Sequence, residues 1–217
     1  MKKRKIIYYI LMFLPLVITL FALLFLPEEI PAHYNFEGEV DRWGSKYETL
    51  IFPFCTVAMG LFMLFMAKIS AKGEDGKNNE KIVFYTGMGI SVWFTVMHCY
   101  SLYMDFKLAE NLNDVEIDIN SLFCIVFGIG LVIMGNFLPK LRNNGVIGLR
   151  TPWSMKNNTV WRKCQVFAGV SLVAGGVFTV ICGFVLSGFS AMFAALGIIL
   201  LCAVSGTVYS YFISKKY

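Results

Sequence analysis

Six long apolar segments alternate with short polar ones along the chain. The apolar segments cover residues 6–26, 50–69, 82–104, 119–138, 164–186 and 189–213. Each is long enough, as an α-helix rising about 1.5 Å per residue, to span the roughly 30 Å hydrocarbon core of a bilayer. The pattern therefore predicts an all-α, polytopic membrane protein with six transmembrane helices.

The composition agrees with this pattern, because 57% of the 217 residues are hydrophobic and only 15% are charged. Soluble domains carry about a quarter charged residues, so one large globular core does not explain the excess. The first apolar segment follows a basic start, but it is too long for a signal peptide and lacks a good cleavage site. We therefore expect an uncleaved anchor helix.

Lysine and arginine are distributed very unevenly among the connections. Sixteen of the 19 lie in the N-terminal tail, in 68–81, in 140–163 and in the C-terminal tail, whereas 11 of the 14 acidic residues lie in 27–49 and 105–118. Basic connections stay on the cytoplasmic side of a membrane, so both termini are predicted to be cytoplasmic. The basic residues crowd helix ends at the level of anionic headgroups, so the lipid bilayer is their expected partner and direct nucleic-acid binding is not expected.

The third predicted helix carries a polar face. Its members, Gly87, Ser91, Thr95, His98 and Asp105, fall within roughly 80° of one another at 3.6 residues per turn, so this face should point into the bundle. Ionisable groups inside a membrane are candidate functional residues, because burying a charge there costs several kcal/mol. His98 and Asp105 are the intramembrane candidates, and for His98 a hydrogen bond to a neighbouring helix is favoured over proton sensing.

The last two predicted helices contain small residues at four-residue spacing, including Ser171 and Gly175 on the fifth and Cys202 and Gly206 on the sixth. Such pairs let helix backbones approach closely in a membrane. Since only two residues separate these helices, an antiparallel hairpin is predicted. Asn158 or Thr159 is expected to cap the fifth helix.

Motifs for catalysis and for metal binding are weak. Residues 203–206 are close to the G-x-S-G of rhomboid proteases, but alanine replaces the first glycine and the only membrane histidine precedes the serine. The sequence has no H-E-x-x-H motif, no phosphate-binding glycine loop and no carboxylate pair within a predicted helix. The six cysteines lack metal-binding spacing and are interpreted as small membrane-embedded hydrophobes. We therefore predict a protein that is not an enzyme and has no metal or cofactor.

The first outer connection, residues 27–49, has more features than a simple tether needs. Two aromatic-bearing segments flank Glu37-Gly38, an imperfect hairpin turn. One interpretation is an aromatic cap at the membrane interface; the other is a recognition surface with an acidic rim and aromatic anchors. The candidate ligand-binding residues are His33, Tyr34, Asn35, Phe36, Asp41, Trp43 and Lys46. For His33 a hydrogen bond within the loop is favoured over metal binding, because carboxylates alone make a weak ligand set.

The long inner connection, residues 139–163, has six basic residues and no acidic one. Thr151 followed by Pro152 has the character of a helix N-cap and first turn. A short helix on the membrane surface is therefore expected, with Trp153 and Trp161 as interfacial anchors. The connection either binds lipid headgroups as an amphipathic loop or docks a cytoplasmic partner.

Both connections also carry motifs of a known family. Residues 26–46 match L-P-x-x-I-P-x-H-[FY]-N-x-x-G-x-x-D-x-W-x-S-K, which resembles a domain of unknown function at the N-terminus of bacterial membrane proteins. The patterns G-N-x-x-P-K, N-x-x-x-G-[IL]-R-T-P-W and N-x-x-x-W occur between residues 135 and 161 and resemble the SdpI/YfhL immunity-protein family. The inner candidate residues are Asn136, Pro139, Lys140, Asn144, Gly148, Arg150, Thr151, Pro152, Trp153 and Trp161. We accordingly divide the chain into a two-helix unit, 1–69, and a four-helix region similar to the family, 82–217.

The resemblance implies a protein of the bacterial cytoplasmic membrane that protects its host from a secreted, membrane-active toxin peptide. It also implies that a cytoplasmic transcriptional repressor is held at the membrane, which couples toxin detection to transcription. We expect the toxin to engage the 27–49 connection and to alter the 139–163 connection. Two other interpretations stay open: a transporter or channel-like protein for a small apolar or peptide substrate, and a purely regulatory anchor.

Overall fold

The computed structural model describes residues 2–35, 37–71, 76–112 and 115–217. Its long helices are α1 (Lys2–Ala22), α2 (Ile51–Ser70), α3 (Gly76–Lys107), α4 (Ile119–Phe137), α5 (Asn158–Val185) and α6 (Gly188–Lys216). Within the described residues, these six helices are long and apolar enough to cross a membrane. The predicted number of spanning helices is therefore confirmed.

Two helices begin six residues earlier than predicted, namely α3 and α5. The start of α5 is set by Asn157, whose backbone is extended and whose side-chain oxygen accepts a 2.9 Å hydrogen bond from the N–H of Val160. This satisfies one of the free N–H groups of the first turn. The predicted caps, Asn158 and Thr159, are therefore wrong, since both lie inside α5.

The chain forms two compact units. Unit 1 comprises Met1–Phe62 and Gly87–Ile119, and unit 2 comprises Met63–Thr86 and Asn120–Tyr217. Helices α2 and α3 therefore contribute one part to each unit. The division of the sequence into 1–69 and 82–217 concerns sequence motifs and stays a prediction.

In unit 1, α1 packs closely against α2. The hydroxyl of Tyr8 donates a 2.9 Å hydrogen bond to the carbonyl oxygen of Gly60. Met12 is fully buried, and a Cβ added at Gly60 would lie 2.6 Å from its sulfur. Nearer the end of α1, Leu26 packs in a buried cluster with Leu102 of α3.

An antiparallel hairpin joins α1 to α2 and consists of β1 (Glu29–Tyr34) and β2 (Val40–Ser45). Gly38 has a φ of 86°, in the left-handed region that glycine adopts without a Cβ penalty. The side chain of Asn35 accepts hydrogen bonds from two N–H groups of the turn, at 2.8 and 3.0 Å. The predicted hairpin is confirmed, and its two strands are an exception to the all-α prediction.

In unit 2, α4 and α5 pack backbone against backbone. Gly128 and Gly135 of α4 face Gly176 and Gly169 of α5, and the spacing is seven residues on each helix. A Cβ at any of these four positions would lie 2.6 to 2.7 Å from the carbonyl oxygen of the facing glycine. We call these four residues the glycine seam. Only residues without a Cβ permit so close an approach.

Helices α5 and α6 form the predicted antiparallel hairpin, joined by two residues. The thiol of Cys202 donates to the carbonyl oxygen of Ser171 at 3.3 Å. A Cβ at Gly175 would lie 2.8 Å from the Cys202 sulfur. Three of the small residues that the sequence marks therefore form part of the contact, namely Ser171, Gly175 and Cys202. Gly206 instead faces Leu149 of the inner connection.

Candidate functional site

The hairpin connection, residues 27–49, is acidic on balance. It contains six acidic residues and two basic ones. Arg42 pairs with Glu48 at 2.8 Å, and Lys46 pairs with Glu28 at 2.9 Å, so four acidic residues remain in excess of the cations. The hydrogen bond and the negative charge of Glu48 raise the pKa of Arg42, which stays fully charged.

The histidine of this connection pairs across the hairpin. His33 Nδ1 lies 2.6 Å from Asp41 Oδ1, and the two side chains are 63% and 45% exposed. The hydrogen bond within the loop that the sequence predicts is therefore present. Among the described residues, no group of three or more histidine, cysteine, aspartate or glutamate side chains is arranged to hold a metal ion.

The segment after α3 covers one edge of the hairpin. The N–H of Val40 donates to the Glu110 carbonyl oxygen at 2.9 Å, and the N–H of Leu112 donates to the Gly38 carbonyl oxygen at 2.8 Å. The hairpin edge is therefore paired with a short extended segment, and covering an edge in this way is one means by which proteins protect it. The sequence did not predict this contact, because residues 108–112 have no strand pattern of their own.

A tyrosine strengthens the same contact. The hydroxyl of Tyr34 donates a 2.9 Å hydrogen bond to the carbonyl oxygen of Ala109. Burial, followed by the neighbouring Asp105 and Tyr100, raises the pKa of Tyr34 to about 12. The phenol therefore keeps its proton and remains a donor at physiological pH.

The seven predicted residues of the hairpin connection differ in whether their side chains bond within unit 1. Phe36 lies outside the described residues. Five others use their polar groups in hydrogen bonds or ion pairs within unit 1, namely His33, Tyr34, Asn35, Asp41 and Lys46. Trp43 is 43% exposed and makes no such bond among the described residues. It is therefore the aromatic candidate whose ring is available for contact.

The inner connection, which belongs to unit 2, has a defined fold of its own. Asn144 forms its first turn, because its side-chain oxygen accepts the N–H groups of Val146 and Ile147 at 2.8 and 2.9 Å. Gly148 follows with a φ of 117°. A Cβ there would also lie 2.7 Å from the side-chain oxygen of Gln165. This position therefore requires glycine for two reasons, its positive φ and the lack of space.

Two side chains of α5 hold the connection in place. Gln165 is fully buried, and its amide accepts from the N–H and donates to the carbonyl oxygen of Leu149, at 2.9 and 3.0 Å. Trp161 is 2% exposed and donates a 2.9 Å hydrogen bond to the carbonyl oxygen of Leu141. The predicted role of Trp161 as an interfacial anchor is therefore wrong, because its ring is part of the unit 2 core. Gln165 was not predicted, since one glutamine in an apolar helix forms no motif.

Residues 151–155 form a single turn and not the predicted surface helix. Thr151 and Ser154 bond to each other twice. The N–H of Thr151 donates to the Ser154 hydroxyl at 2.8 Å, and the N–H of Ser154 donates to the Thr151 hydroxyl at 2.9 Å. The hydroxyl of Thr151 also lies 2.8 Å from that of Ser210 on α6. Just afterwards, Lys156 donates to the carbonyl oxygen of Ser214 at 2.7 Å. These contacts with α6 take the chain away from a helical path after one turn.

The beginning of α3 holds the other end of the connection. Asn78 donates a 2.6 Å hydrogen bond to the carbonyl oxygen of Lys140. Asn79 is buried and accepts from the N–H of Arg142 at 3.1 Å. Helices α3, α5 and α6 thus all bond to the inner connection within unit 2.

The remaining inner candidates lie on the surface of unit 2. Asn136 is exposed, and among the described residues its side chain bonds to its own helix, at the carbonyl oxygen of Val132. Arg150 and Pro152 are exposed. Trp153 is 39% exposed and packs edge-on against Tyr211 with 5.3 Å between ring centroids. Pro139 instead lies against Gly169 of the glycine seam, where a Cβ would meet its ring at 2.9 Å.

The intramembrane candidates are buried in unit 1. His98 is 1% exposed, and its Nε2 lies 2.6 Å from the hydroxyl of Thr19 on α1. Its ring stacks on Phe52 with 5.7 Å between centroids. The predicted hydrogen bond to a neighbouring helix is confirmed. Asp105 is 4% exposed, so both ionisable residues of the polar face are buried as expected.

Comparison with known proteins gives matches over both connections. Residues 10–57 match a domain of unknown function, DUF1648, and residues 140–210 match the SdpI/YfhL protein family. The resemblance to the SdpI/YfhL family is confirmed. Immunity protein SdpI of Bacillus subtilis (strain 168) is 26% identical over 214 residues, which are 99% of this chain and 97% of that protein. No solved structure matches the chain.

The SdpI/YfhL match begins at the inner connection and continues through α5 into α6. It therefore covers the region in which Gly148, Trp161 and Gln165 fold the connection. The similarity, together with the six apolar helices, identifies a multi-pass protein of the bacterial cytoplasmic membrane.

Proposed function

We propose that this chain is a non-enzymatic immunity protein that gives its bacterial host resistance to a secreted, membrane-active toxin peptide. The observation that carries the proposal is the similarity to an immunity protein along nearly the whole of both chains. A match of this extent includes the hairpin connection as well as the SdpI/YfhL region. The hairpin connection and the inner connection, which distinguish this chain from a plain helical bundle, therefore both lie within the aligned region.

We place the hairpin on the outer side of the membrane and both termini in the cytoplasm, because the basic residues follow the positive-inside rule in that orientation. The toxin then meets the hairpin first. The surplus of four acidic residues favours a peptide with cationic groups, and the exposed ring of Trp43 supplies an apolar contact. An aromatic anchor within a charged rim is the usual arrangement of an energetically important contact.

The paired edge of the hairpin supports this role. Because Glu110 and Leu112 bond to its backbone, the hairpin is ordered before it meets a ligand. Little conformational entropy is then lost on binding, which improves affinity without any added contact. An aromatic cap that only rested at the membrane interface would not need these hydrogen bonds along its edge.

We further propose that the inner connection holds a cytoplasmic repressor through Arg150 and Trp153. Both side chains are exposed, whereas most neighbouring polar groups are used to fold the connection. Arginine and tryptophan are also the residue types most enriched at the centres of protein interfaces. Coupling of toxin binding to repressor release requires two arrangements of the helices with different affinities for the two partners.

The test is survival of a toxin-sensitive strain that expresses this chain. Wild-type protein should raise the lethal dose of a related killing peptide, and Trp43→Ala should reduce that protection by about 30-fold if the ring contributes about 2 kcal/mol. Trp153→Ala is the matched control, because its ring has similar exposure and lies in the inner connection. It should leave protection unchanged at equal membrane levels.

A second measurement separates resistance from signalling. Purification from host membranes should recover a DNA-binding protein with the wild type and lose it with Arg150→Ala. If the wild type protects against no related peptide, the immunity proposal fails, and recovery of the DNA-binding protein alone would leave a regulatory anchor.

A further inference from the structure

A cleft of about 1200 Å³ opens in unit 2 between the inner connection and the first three turns of α5. Four basic side chains line it, those of Lys140, Arg142, Arg162 and Lys163. None of the described residues that line the cleft is acidic. The cleft is therefore a concave, positively charged site that is separate from the exposed Arg150 and Trp153.

Three of the four basic side chains of the cleft form no ion pair with a described carboxylate. The ion pairs between described residues all lie in the hairpin connection, so Lys140, Arg162 and Lys163 have no ion-pair partner among the described residues. The ammonium of Lys140 lies 5.3 Å from the ring centre of Phe137, and that of Lys163 lies 4.6 Å from the ring centre of Tyr217. Aromatic rings hold a cation in position and leave its charge able to attract an anion.

The start of α5 adds to this field. Asn158 and Thr159 line the cleft at the N-terminus of a 28-residue helix. The cap at Asn157 accepts from one N–H of the first turn, at Val160. The remaining N–H groups and the helix dipole favour a negative group at this end, and phosphate is the common one.

An apolar wall continues from the basic part of the cleft along α5. Arg162, Val166 and Val170 follow one another at four-residue spacing, and the two valines are 43% and 65% exposed. On the adjoining row, Phe167 stacks on Tyr209 of α6 with 4.2 Å between ring centroids. At about 1.5 Å per residue, this wall extends roughly 12 Å beyond the guanidinium-bearing turn. Cationic groups above an apolar wall match an amphiphile and not a free anion.

We propose that this cleft binds one anionic phospholipid, with its phosphodiester between Arg162 and Lys163 and an acyl chain along Val166 and Val170. The valines belong to a helix that is long and apolar enough to cross the membrane, so an acyl chain reaches them without leaving the bilayer. The proposal concerns a lipid bound at one site, not the general attraction of basic loops to a charged membrane. It does not depend on toxin resistance.

The test uses native mass spectrometry of the delipidated full chain in detergent, titrated with phosphatidylglycerol. Wild-type protein should bind one molecule saturably and should prefer it to phosphatidylcholine, which has the same chains and no net charge. Arg162→Gln combined with Lys163→Gln should weaken binding about 30-fold, because each lost cation contributes a factor of about five. The matched control is Lys3→Gln with Lys5→Gln, which removes two exposed cations that do not line the cleft.

Four other outcomes would overturn the proposal. Equal binding of the two lipids, or equal losses in the two double variants, would overturn the site. Saturable binding of glycerol 3-phosphate as tight as that of the lipid would assign the cleft to a free phosphate compound and overturn the acyl contact. Displacement of the lipid by an acidic protein segment, such as that of a captured repressor, would make the cleft a protein site. Unfolding of each variant followed by circular dichroism separates lost binding from lost structure.

Discussion

Alanine at Gly135 tests whether α4 and α5 depend on the glycine seam. The added Cβ would lie 2.6 Å from the Gly169 carbonyl oxygen and 2.9 Å from the Val173 nitrogen. Both are backbone atoms, so no side-chain rotation relieves the contact. Ordinary van der Waals contact begins at 3.4 Å, so the helices must separate by about 0.8 Å at this point. We therefore expect Gly135→Ala to loosen the helix pair along its length.

The loss of stability in Gly135→Ala is best measured relative to a second alanine substitution in the same helix. Gly130 has no atom within 4 Å of an added Cβ. Each substitution gains up to about 1 kcal/mol of helix propensity, so this gain cancels in the comparison. What remains is the cost of overpacking, which is typically about 1–3 kcal/mol. We expect Gly135→Ala to be less stable than Gly130→Ala by that amount.

The assay is unfolding of the purified protein in mixed micelles of increasing SDS content, followed by far-ultraviolet circular dichroism. Gly130→Ala should unfold at or above the wild-type midpoint and Gly135→Ala below it. Gly169→Ala meets the same contact from the other helix, at 2.7 Å from the Gly135 carbonyl oxygen. The double variant should therefore lose less than the sum of the two single losses. Equal stability of Gly130→Ala and Gly135→Ala within about 0.5 kcal/mol would refute the seam.

Three other substitutions test the two connections. Gln165→Leu removes the partner of the Leu149 N–H, while the Leu149 carbonyl oxygen keeps its 2.7 Å hydrogen bond from the Ser154 hydroxyl. This should cost about 1–3 kcal/mol and speed amide exchange in residues 141–157. Trp161→Phe removes one hydrogen bond to Leu141 and should cost about 1–3 kcal/mol in the same unfolding assay. Tyr34 keeps its proton in the folded state up to a pKa of about 12, so its contribution to stability should fall as the pH rises from 10 to 12. Tyr34→Phe should lower by one tyrosine the phenolate absorbance that titrates near pH 12, and a loss of absorbance near pH 10 instead would contradict the buried contact.

The helices were predictable because each depends on a property of its own segment. Twenty apolar residues in a row suffice to predict a spanning helix, whatever its neighbours are. The hairpin was predictable for a related reason, since Gly38 permits the turn and Asn35 bonds locally to it. Short-range chemistry therefore explains most of what the sequence predicted correctly.

The errors lie where distant residues decide the local structure. Trp161 has the position and the residue type of an interfacial anchor, but the carbonyl of Leu141 requires a buried donor. Residues 151–155 have the start of a helix, but Ser210 and Ser214 of α6 bond to the chain after one turn. Neither partner is visible in a local pattern.

The glycine seam shows the same limit within the membrane. The sequence marks small residues four apart on α5 and α6, because that spacing keeps them on one helix face. The seam uses a spacing of seven residues, two turns instead of one, and it needs glycines on two separate helices in matching positions. Nothing in the sequence connects Gly128 with Gly176, because their pairing depends on how the two helices pack.

The residues of the inner motif can be sorted by whether the fold already accounts for them. Asn144 forms a turn, Gly148 avoids Gln165, and Trp161 satisfies a buried carbonyl, so the fold would require them in a protein with any function. Arg150 and Trp153 belong to the same motif but are exposed, and only an edge contact with an aromatic ring supports one of them. A structural reason is thus present for the first group and weak for the second. Resemblance to the family over these residues therefore bears mainly on the fold, and a shared partner should be sought first at Arg150 and Trp153.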